Sequence, residues 1–297
     1  MQVLEEFRNF LAIEKEYSEI DNSKIVIVAA PLEKTVSFGK GCSLGPEKII
    51  ESSAYVEFYD NETDREICFE KGIATLEPLN FDGMTNKEAI EHIEKYIRKL
   101  LELDKFVVTL GGEHTISLAP IKAHLKKYPN MSLLQFDAHS DLREEYEDSP
   151  YSHACVMKRA VEFINPTKLT QVGIRALCIE ESKFIRESKT NTFFATDIRT
   201  GKWGENWQKE VVNTLSDEVY ISFDVDYFDP AIMPATGTPE PDGFLYNETL
   251  NIFREIKKQK KRIVGFDVVE LAPIEGLSHP DLTTARLVYK LLNFAFS

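Results

Sequence analysis

The stretch Met131-Ser-Leu-Leu-Gln-Phe-Asp-Ala-His-Ser-Asp141 joins a short apolar run to three polar side chains at alternate positions. The apolar run predicts a β-strand that is buried on both faces, as strands of parallel sheets are. Side chains at alternate positions of extended backbone point to the same side, so Asp137, His139 and Asp141 should lie together. We therefore expect a group of potential ligands directly after one buried strand.

Similar apolar runs recur along the chain and alternate with amphipathic segments. This alternation implies helical crossovers between the strands of a mainly parallel sheet, and so an α/β fold. No linker rich in Pro, Gly or Ser divides the chain, which favours a single domain over residues 1–297. The predicted strands are 24–30, 106–110, 131–136, 169–174, 192–195, 219–223 and 262–268, and the predicted helices are 86–103, 117–127, 203–215, 248–260 and 282–294.

The composition excludes several classes of function. With 49 Asp and Glu against 35 Lys and Arg, the formal net charge is −14. This acid excess argues against nucleic acid and against anionic membranes as partners, because both are bound mainly through Lys and Arg. The four cysteines are scattered, and the N-terminal residues lack the pattern of a secretory signal. We therefore expect a cytoplasmic protein without disulfide bonds.

Three more predicted strands are followed by acids or a histidine. Gly111-Gly-Glu-His114 follows one strand, Asp224-Val-Asp226 the next, and Asp267-Val-Val-Glu270 the last. Ligands of open parallel sheets bind outside the carboxyl ends of the strands, so these side chains should meet at one edge. Capping or turn chemistry explains one such motif, but not the recurrence of the pattern at four strand ends.

The chemistry of the assembled side chains predicts a metal site. Crowded carboxylates repel one another unless a cation compensates their charge. Oxygen ligands with some nitrogen suit Mn²⁺, Fe²⁺ or Co²⁺, and the absence of cysteine argues against a structural zinc site. Six ligands exceed what one ion needs, so we expect two ions bridged by carboxylates, which would acidify a water molecule into a nucleophile. The expected ligands are His114, Asp137, His139, Asp141, Asp224 and Asp226.

These motifs resemble the ureohydrolases, the family of arginases and agmatinases. The resemblance rests on Gly111-Gly-Glu-His114, Asp137-Ala-His-Ser-Asp141, Ser222-Phe-Asp-Val-Asp226 and Pro234-Ala-Thr-Gly-Thr-Pro239, and it extends over most of the chain, from residue 37 to residue 273. It implies a three-layer α/β/α sandwich and two Mn²⁺ ions per chain. It also implies hydrolysis of a guanidino group to urea and an amine by a hydroxide that bridges the ions.

The resemblance assigns roles to individual residues. His114, Asp137, Asp141 and Asp224 would bind one ion, and Asp137, His139, Asp224 and Asp226 the other. His153 would exchange protons with bulk water, and Asp141 would relay the proton of the attacking hydroxide. Glu270 would pair with the substrate guanidinium through charge-assisted hydrogen bonds. His153, Glu181 and Thr238 are further candidates for contact with the substrate.

Within this family the sequence favours an agmatinase, which would produce putrescine. The run Asp141-Leu-Arg-Glu-Glu-Tyr146 before Ser152-His153 resembles agmatinases, and the polar loop that binds the amino acid head group in arginases is absent. Arginase, guanidinobutyrase and formiminoglutamase remain alternatives. The expected substrate is a small guanidino cation, and the resemblance implies a homo-oligomer, either a trimer or a hexamer.

Two other classes of protein fit these motifs less well. Deacetylases of related fold use a single zinc ion and a different ligand set. A non-catalytic relative would be expected to lose metal ligands, and all six are present here. Glu113 stands where the family often has Asp, at a position that is not a metal ligand in the family.

Overall fold

Every apolar run predicted to be a strand forms one in the structure, a computed structural model that describes residues 1–297. An eighth strand, which the sequence did not predict, joins them at one edge of the sheet. The strands are β1 (Ile25–Ala30), β2 (Ile73–Thr75), β3 (Phe106–Gly111), β4 (Ser132–Phe136), β5 (Leu169–Ile174), β6 (Asn191–Phe194), β7 (Glu218–Asp224) and β8 (Arg262–Val269). All pair in parallel, in the order β2-β1-β3-β8-β7-β4-β5-β6.

Helices cover both faces of this sheet. They are α1 (Lys15–Ser18), α2 (Gly45–Ser53), α3 (Ile67–Lys71), α4 (Asn86–Glu102), α5 (Leu118–Lys127), α6 (Val156–Ala160), α7 (Ile179–Ser188), α8 (Ala195–Arg199), α9 (Trp207–Asn213), α10 (Tyr246–Lys258) and α11 (His279–Ala295). Helices α4 to α7 pack on one face, and α2, α3 and α8 to α11 pack on the other. The predicted three-layer α/β/α sandwich is confirmed.

Alternate side chains of the strands enter two separate hydrophobic cores. In β1, Ile27 belongs to the core under α10 and α11, whereas Val28 belongs to the core under α4 and α5. All six residues of β1 are buried, which is the property that its continuous apolar sequence predicted. The two cores hold the sheet rigid, and a rigid sheet fixes the positions from which its loops begin.

Local chemistry sets the helix boundaries. Helix α4 begins at a capping box, in which the Thr85 hydroxyl accepts from the Glu88 amide and the Glu88 carboxylate accepts from the Thr85 amide. The helix predicted over 203–215 is helical only over Trp207–Asn213. Gly201 and Gly204 precede it with positive φ angles, in turns that a helix cannot include. Strand β2 and helices α1, α2, α3, α6, α7 and α8 were not predicted.

The four strands that carry the motifs are neighbours in the middle of the sheet. Strands β3, β8, β7 and β4 lie side by side, so their carboxyl ends place His114, Glu270, Asp224 and Asp137 along one short edge. The loops after β1 and β3 also touch, because Gly112 lacks a side chain: an added Cβ would lie 2.1 Å from the Leu32 carbonyl oxygen. None of the helices combines the length and the apolar character that crossing a membrane requires.

Candidate metal centre and active site

Three of the predicted aspartates surround one imidazole nitrogen. His114 Nδ1 lies 2.9 Å from Asp141 Oδ2, 3.1 Å from Asp137 Oδ2 and 3.4 Å from Asp224 Oδ2. All four side chains are buried. His114 Nδ1 has no hydrogen bond of acceptable geometry despite these short distances. The nitrogen and the three oxygens therefore face a common point, as the ligands of one ion do.

A second group of potential ligands shares Asp137 with the first. His139 Nδ1 lies 2.8 Å from Asp226 Oδ2 and 3.6 Å from Asp137 Oδ1. The ligand atoms of Asp137, His139 and Asp226 all lie within 4.8 Å of one another. The structure thus brings all six predicted ligands together in two adjacent groups that have Asp137 in common.

Backbone amides hold the carboxylates of the two groups in place. His139 N donates to Asp137 Oδ1 at 2.6 Å, and Asp226 N donates to Asp224 Oδ1 at 2.8 Å. Ala138 N donates to Asp226 Oδ1 at 3.0 Å. The first two bonds arise because Asp137 and Asp224 are each followed by a tight turn, and the third joins two loops. All three leave the second carboxylate oxygens directed at the imidazoles.

Buried polar side chains behind the ligands orient them further. His114 Nε2 lies 3.0 Å from Ser222 Oγ, which donates to Asp267 at 2.8 Å, and Gln135 Nε2 donates to Asp137 Oδ2 at 2.7 Å. Partners of this kind fix the ring orientation of metal-binding histidines. Ser222, Asp267 and Gln135 were not predicted to have a role, and the one signal of each is a polar residue within an otherwise apolar strand.

The electrostatics of the site fit added cations. Burial and the charges of the neighbouring Asp226 and Asp137 raise the pKa of Asp224 well above its usual range. Burial and the charge of Asp137 raise the pKa of Asp141 to about 7. None of the four aspartates forms an ion pair with Lys or Arg. Buried carboxylates without a cationic partner are costly, so this set of oxygen and nitrogen donors fits divalent ions.

A cavity of about 260 Å³ opens onto the ligands. His153 and Thr238 lie in its wall, and so does Glu240, which the sequence analysis missed. The Glu240 side chain is 39% exposed, and its only ionic neighbour is His139 Nε2 at 4.0 Å. The cavity therefore combines the metal-ligand groups at its floor with an unpaired acid near its mouth.

Glu270 is the buried acid next to the metal-ligand groups. Its Oε1 accepts from the His114 amide at 2.6 Å, and no Lys or Arg pairs with it. Burial raises the pKa of Glu270 to about 8, with a contribution from the charge of Glu113. Glu270 and Asp141 both have positive φ angles, 66° and 55°, in the left-handed region that non-glycine residues rarely occupy. Such strain is concentrated at functional sites.

Glu181 lines the cavity, but protein donors occupy its oxygens. Its Oε1 accepts from Ser140 Oγ at 2.6 Å and from Leu142 N at 2.9 Å, and its Oε2 accepts from Cys178 N at 2.7 Å. These bonds tie the loop after β4 to the start of α7. Contact between Glu181 and a substrate stays a prediction, as do the individual roles of the other site residues.

Arg175 supports the far wall of the cavity and was not predicted to do so. Its guanidinium donates to Asp226 O at 2.8 Å, to Glu240 O at 2.9 Å and to Pro241 O at 2.9 Å. It thereby joins the metal-ligand loop after β7 to the loop that carries Thr238 and Glu240. One planar side chain with several donors suits this task, because it satisfies carbonyls of separate segments at once.

Comparison with known proteins agrees with the site. The model of the arginase family matches residues 23–295. The chain is 36% identical to an N(1)-aminopropylagmatine ureohydrolase of a Synechocystis strain, over 97% of this chain and 94% of that protein. It is 35% identical to an agmatinase of Bacillus cereus, over 91% of this chain and 90% of that protein. The crystal structure of the agmatine ureohydrolase of Thermoplasma volcanium superposes with a TM-score of 0.85 at 28% identity, covering 97% and 94% of the two chains.

The chain therefore belongs to the arginase family, whose α/β fold and cluster of acids and histidines it contains. Within that family it is an enzyme of the agmatinase type, a ureohydrolase that acts on guanidino C–N bonds. The resemblance identified from the sequence is confirmed.

Proposed function

We propose that the protein is a binuclear manganese hydrolase that cleaves agmatine to putrescine and urea. The observation that carries this proposal is the cavity itself. Its floor holds two imidazoles and three aspartates without a Lys or Arg partner, and its wall holds Glu240 and Glu270, which also lack one. A cavity so rich in acids suits both divalent ions and a cationic substrate.

His114, Asp137, Asp141 and Asp224 would hold one Mn²⁺ ion, and Asp137, His139, Asp224 and Asp226 the other. When bound, the two ions acidify a water molecule and hold it as the nucleophile for the guanidinium carbon. Asp137 and Asp224 are proposed to be shared between the ions. The contact of Asp137 with both histidines supports this assignment.

The remaining residues bind the substrate and move protons. Glu270 Oε2 has no partner in the protein and would accept hydrogen bonds from the planar guanidinium. Asp141 would relay the proton of the attacking hydroxide to the departing amine nitrogen, since an amine leaves well only when protonated. His153, in the cavity wall, would pass a proton to bulk water when the nucleophile forms and return one to the free amine, so that guanidinium and water give urea and an ammonium with no net proton.

The charge near the mouth supports a substrate whose far end is an amine. Glu240 has no Lys or Arg partner, so it can face an ammonium group, and it would repel the carboxylate of arginine or guanidinobutyrate. Arg143, the cation of the cavity wall, stacks on Tyr146 at 5.3 Å and faces Glu181 at 3.9 Å. Its charge is thus partly offset by Glu181, which weakens its ability to attract a substrate carboxylate.

A second candidate substrate is N(1)-aminopropylagmatine. The Synechocystis relative that bears this activity in its name is 36% identical over nearly the whole chain. Both substrates carry the same guanidino group and differ in the length and charge of the amine end. Glu240 would face one ammonium of agmatine, or one of the two amines of the longer substrate.

The test is a product assay of the Mn²⁺-loaded protein with agmatine, N(1)-aminopropylagmatine, arginine, guanidinobutyrate and formiminoglutamate. Release of urea is measured for the first four and release of formamide for the last. We expect kcat/KM to be highest for agmatine. A preference for aminopropylagmatine would replace the substrate and keep the mechanism, whereas a preference for arginine would contradict the proposed specificity.

The surroundings of the enzyme are part of the proposal. We propose a cytoplasmic homo-oligomer, a trimer or hexamer, that acts on a small cationic guanidino substrate in polyamine biosynthesis and has no nucleic acid or membrane as a partner. The net charge of −14 supports this choice of partners, because a negative field attracts small cations. Sedimentation velocity of the metal-loaded protein measures the oligomeric state.

A further inference from the structure

Glu113 is a fully buried carboxylate that the proposed chemistry does not use. It follows the two glycines after β3 and precedes the metal-ligand candidate His114. No Lys or Arg pairs with it. Instead, its Oε2 accepts from the backbone amides of Lys34 at 2.7 Å and Thr35 at 2.6 Å, and its Oε1 accepts from Thr35 Oγ1 at 3.0 Å. All of its donors therefore come from two consecutive residues of the loop after β1.

Thr35 continues from Glu113 to His153. Thr35 Oγ1 lies 3.3 Å from His153 Nδ1, and it also accepts from the His153 backbone amide at 3.2 Å. Glu113, Thr35 and His153 thus form a chain of carboxylate, hydroxyl and imidazole across three loops. The segments they come from are far apart in sequence, so the contacts are a product of the fold.

The direction of the hydrogen bonds follows from what each group can donate. A carboxylate only accepts, so the single hydroxyl hydrogen of Thr35 points to Glu113. The lone pairs of the Thr35 oxygen then accept from the backbone amide and from Nδ1 of His153. Ser152 Oγ also lies 3.4 Å from Nδ1. The closer contact to Thr35 is satisfied only when Nδ1 carries a hydrogen, and in the neutral ring Nε2 is then left without one.

We propose that Thr35, oriented by Glu113, is a positioning residue that holds His153 in the Nδ1–H tautomer. The ring lies in the cavity wall and its Nδ1 is taken by Thr35, so Nε2 is the nitrogen that takes up and returns protons in the cavity. In the other tautomer Nε2 would carry a hydrogen and could not accept a proton. This role rests on the proposed function, in which His153 moves protons between the cavity and bulk water.

The kinetic test compares two substitutions of similar size at Thr35, using whichever guanidino substrate the Mn²⁺-loaded wild type turns over. Thr35→Val removes the hydroxyl and should lower kcat about tenfold with KM within about twofold, since partners of functional histidines carry effects of this size. Thr35→Ser keeps the hydroxyl and should retain kcat within about threefold. Metal content and Tm are measured for both variants, so that a folding defect is recognised.

A double-mutant cycle with His153→Asn tests whether Thr35 acts through the histidine. Thr35→Val should cause no further loss of kcat in the His153→Asn background, because the imidazole it positions is gone. An equal loss in both backgrounds, or wild-type kcat in Thr35→Val alone, would overturn the proposal.

A spectroscopic measurement separates this inference from the proposed function. The ¹⁵N shifts of His153, in protein labelled at histidine and loaded with a diamagnetic divalent ion, distinguish the two tautomers without any turnover. We expect the hydrogen on Nδ1 in the wild type, and a mixture of tautomers in Thr35→Val. A hydrogen on Nε2 in the wild type refutes the inference. Absence of activity on every guanidino and formimino substrate contradicts the proposed function alone.

Discussion

Two sets of buried carboxylates lie in this molecule, and they are neutralised in opposite ways. In the first, at the carboxyl edge of the sheet, Asp137, Asp141 and Asp224 face imidazoles and have no Lys or Arg partner. In the second, on the loop between α2 and α3, Asp60 accepts from Lys290 Nζ at 2.7 Å and from Thr63 N at 2.9 Å. Both sets are nearly inaccessible to water.

The pKa shifts record the difference. Burial alone would raise the pKa of Asp60, but the Lys290 ammonium and the Thr63 donors outweigh it and hold the pKa below its usual range. Burial and neighbouring charge raise the pKa values of Asp141 and Asp224 instead, and in this first set only Asp137, which contacts both imidazoles, has its pKa lowered. A buried acid that pairs with a Lys or Arg of the same protein helps to hold the fold. A buried acid without such a partner leaves its charge to be balanced by something that the protein binds.

The largest expected effect comes from removing one of the unpaired acids. Asp224→Asn should lower kcat by at least about a thousandfold and reduce bound Mn²⁺, because Asp224 is a proposed ligand of both ions. In the metal-free protein the free energy of unfolding should stay within about 1 kcal/mol of wild type, since burial and the neighbouring carboxylates disfavour the charged form of Asp224 and Asn keeps its shape. Metal analysis, urea release and denaturant unfolding measure the three quantities.

The outcome of this substitution is decisive for the comparison. Full activity with Asp224→Asn would contradict its assignment as a ligand. A large loss of stability in the metal-free protein would mean that the site acids hold the fold, as Asp60 does, and the distinction between the two sets would fail.

The paired acid should show the reverse pattern. Asp60→Asn leaves Lys290, a side chain only 10% exposed, with Glu62 as its remaining ionic partner. Breaking a buried ion pair from one side costs about 3–5 kcal/mol, and we expect the lower end because Glu62 remains. The unfolding free energy of the metal-loaded protein should fall while kcat is retained. Asp217→Asn is the matched control, because Asp217 pairs with Lys261 at 3.5 Å but is 98% exposed, and its loss should leave Tm unchanged.

Much of the fold was predictable because its signals are local. Continuous apolar runs marked seven of the eight strands, and the Thr85 capping box marked the start of α4. Strand β2 was missed because three residues are too few to form a pattern. The late start of the helix at Trp207 depends on turn glycines, which apolar spacing does not reveal.

The candidate site was predictable to the extent that its residues follow strands. All six candidate ligands come together as expected, because parallel strands end at one edge. The supporting contacts were not predictable, because they join distant segments: Thr35 contacts His153 across 118 positions, and Arg175 reaches Glu240 across 65. Neither pairing leaves a motif in the sequence, since any of several donors could occupy those positions.

The smallest expected effect concerns His124, a buried base without an acidic partner. His124 is fully buried on α5, its Nδ1 bonded to Pro120 O at 2.7 Å and its Nε2 without a partner. Burial lowers the pKa of His124 to about 4, and no carboxylate opposes the shift. His114, equally buried, differs because three carboxylates surround it.

This difference predicts a pH dependence of stability. The unfolded chain protonates His124 near pH 6.5, whereas the folded chain does so only near pH 4, so between these values the unfolded state binds more protons and acid favours unfolding. Between pH 7 and pH 5 the loss from this residue should be about 2 kcal/mol. Denaturant unfolding at each pH should show this loss of unfolding free energy in the wild type and not in His124→Phe. Equal slopes in the two proteins would mean that the buried ring of His124 is charged in the folded protein. The interior around α5 would then tolerate an unpaired charge, whereas the aspartates of the metal-ligand groups need bound cations to balance theirs.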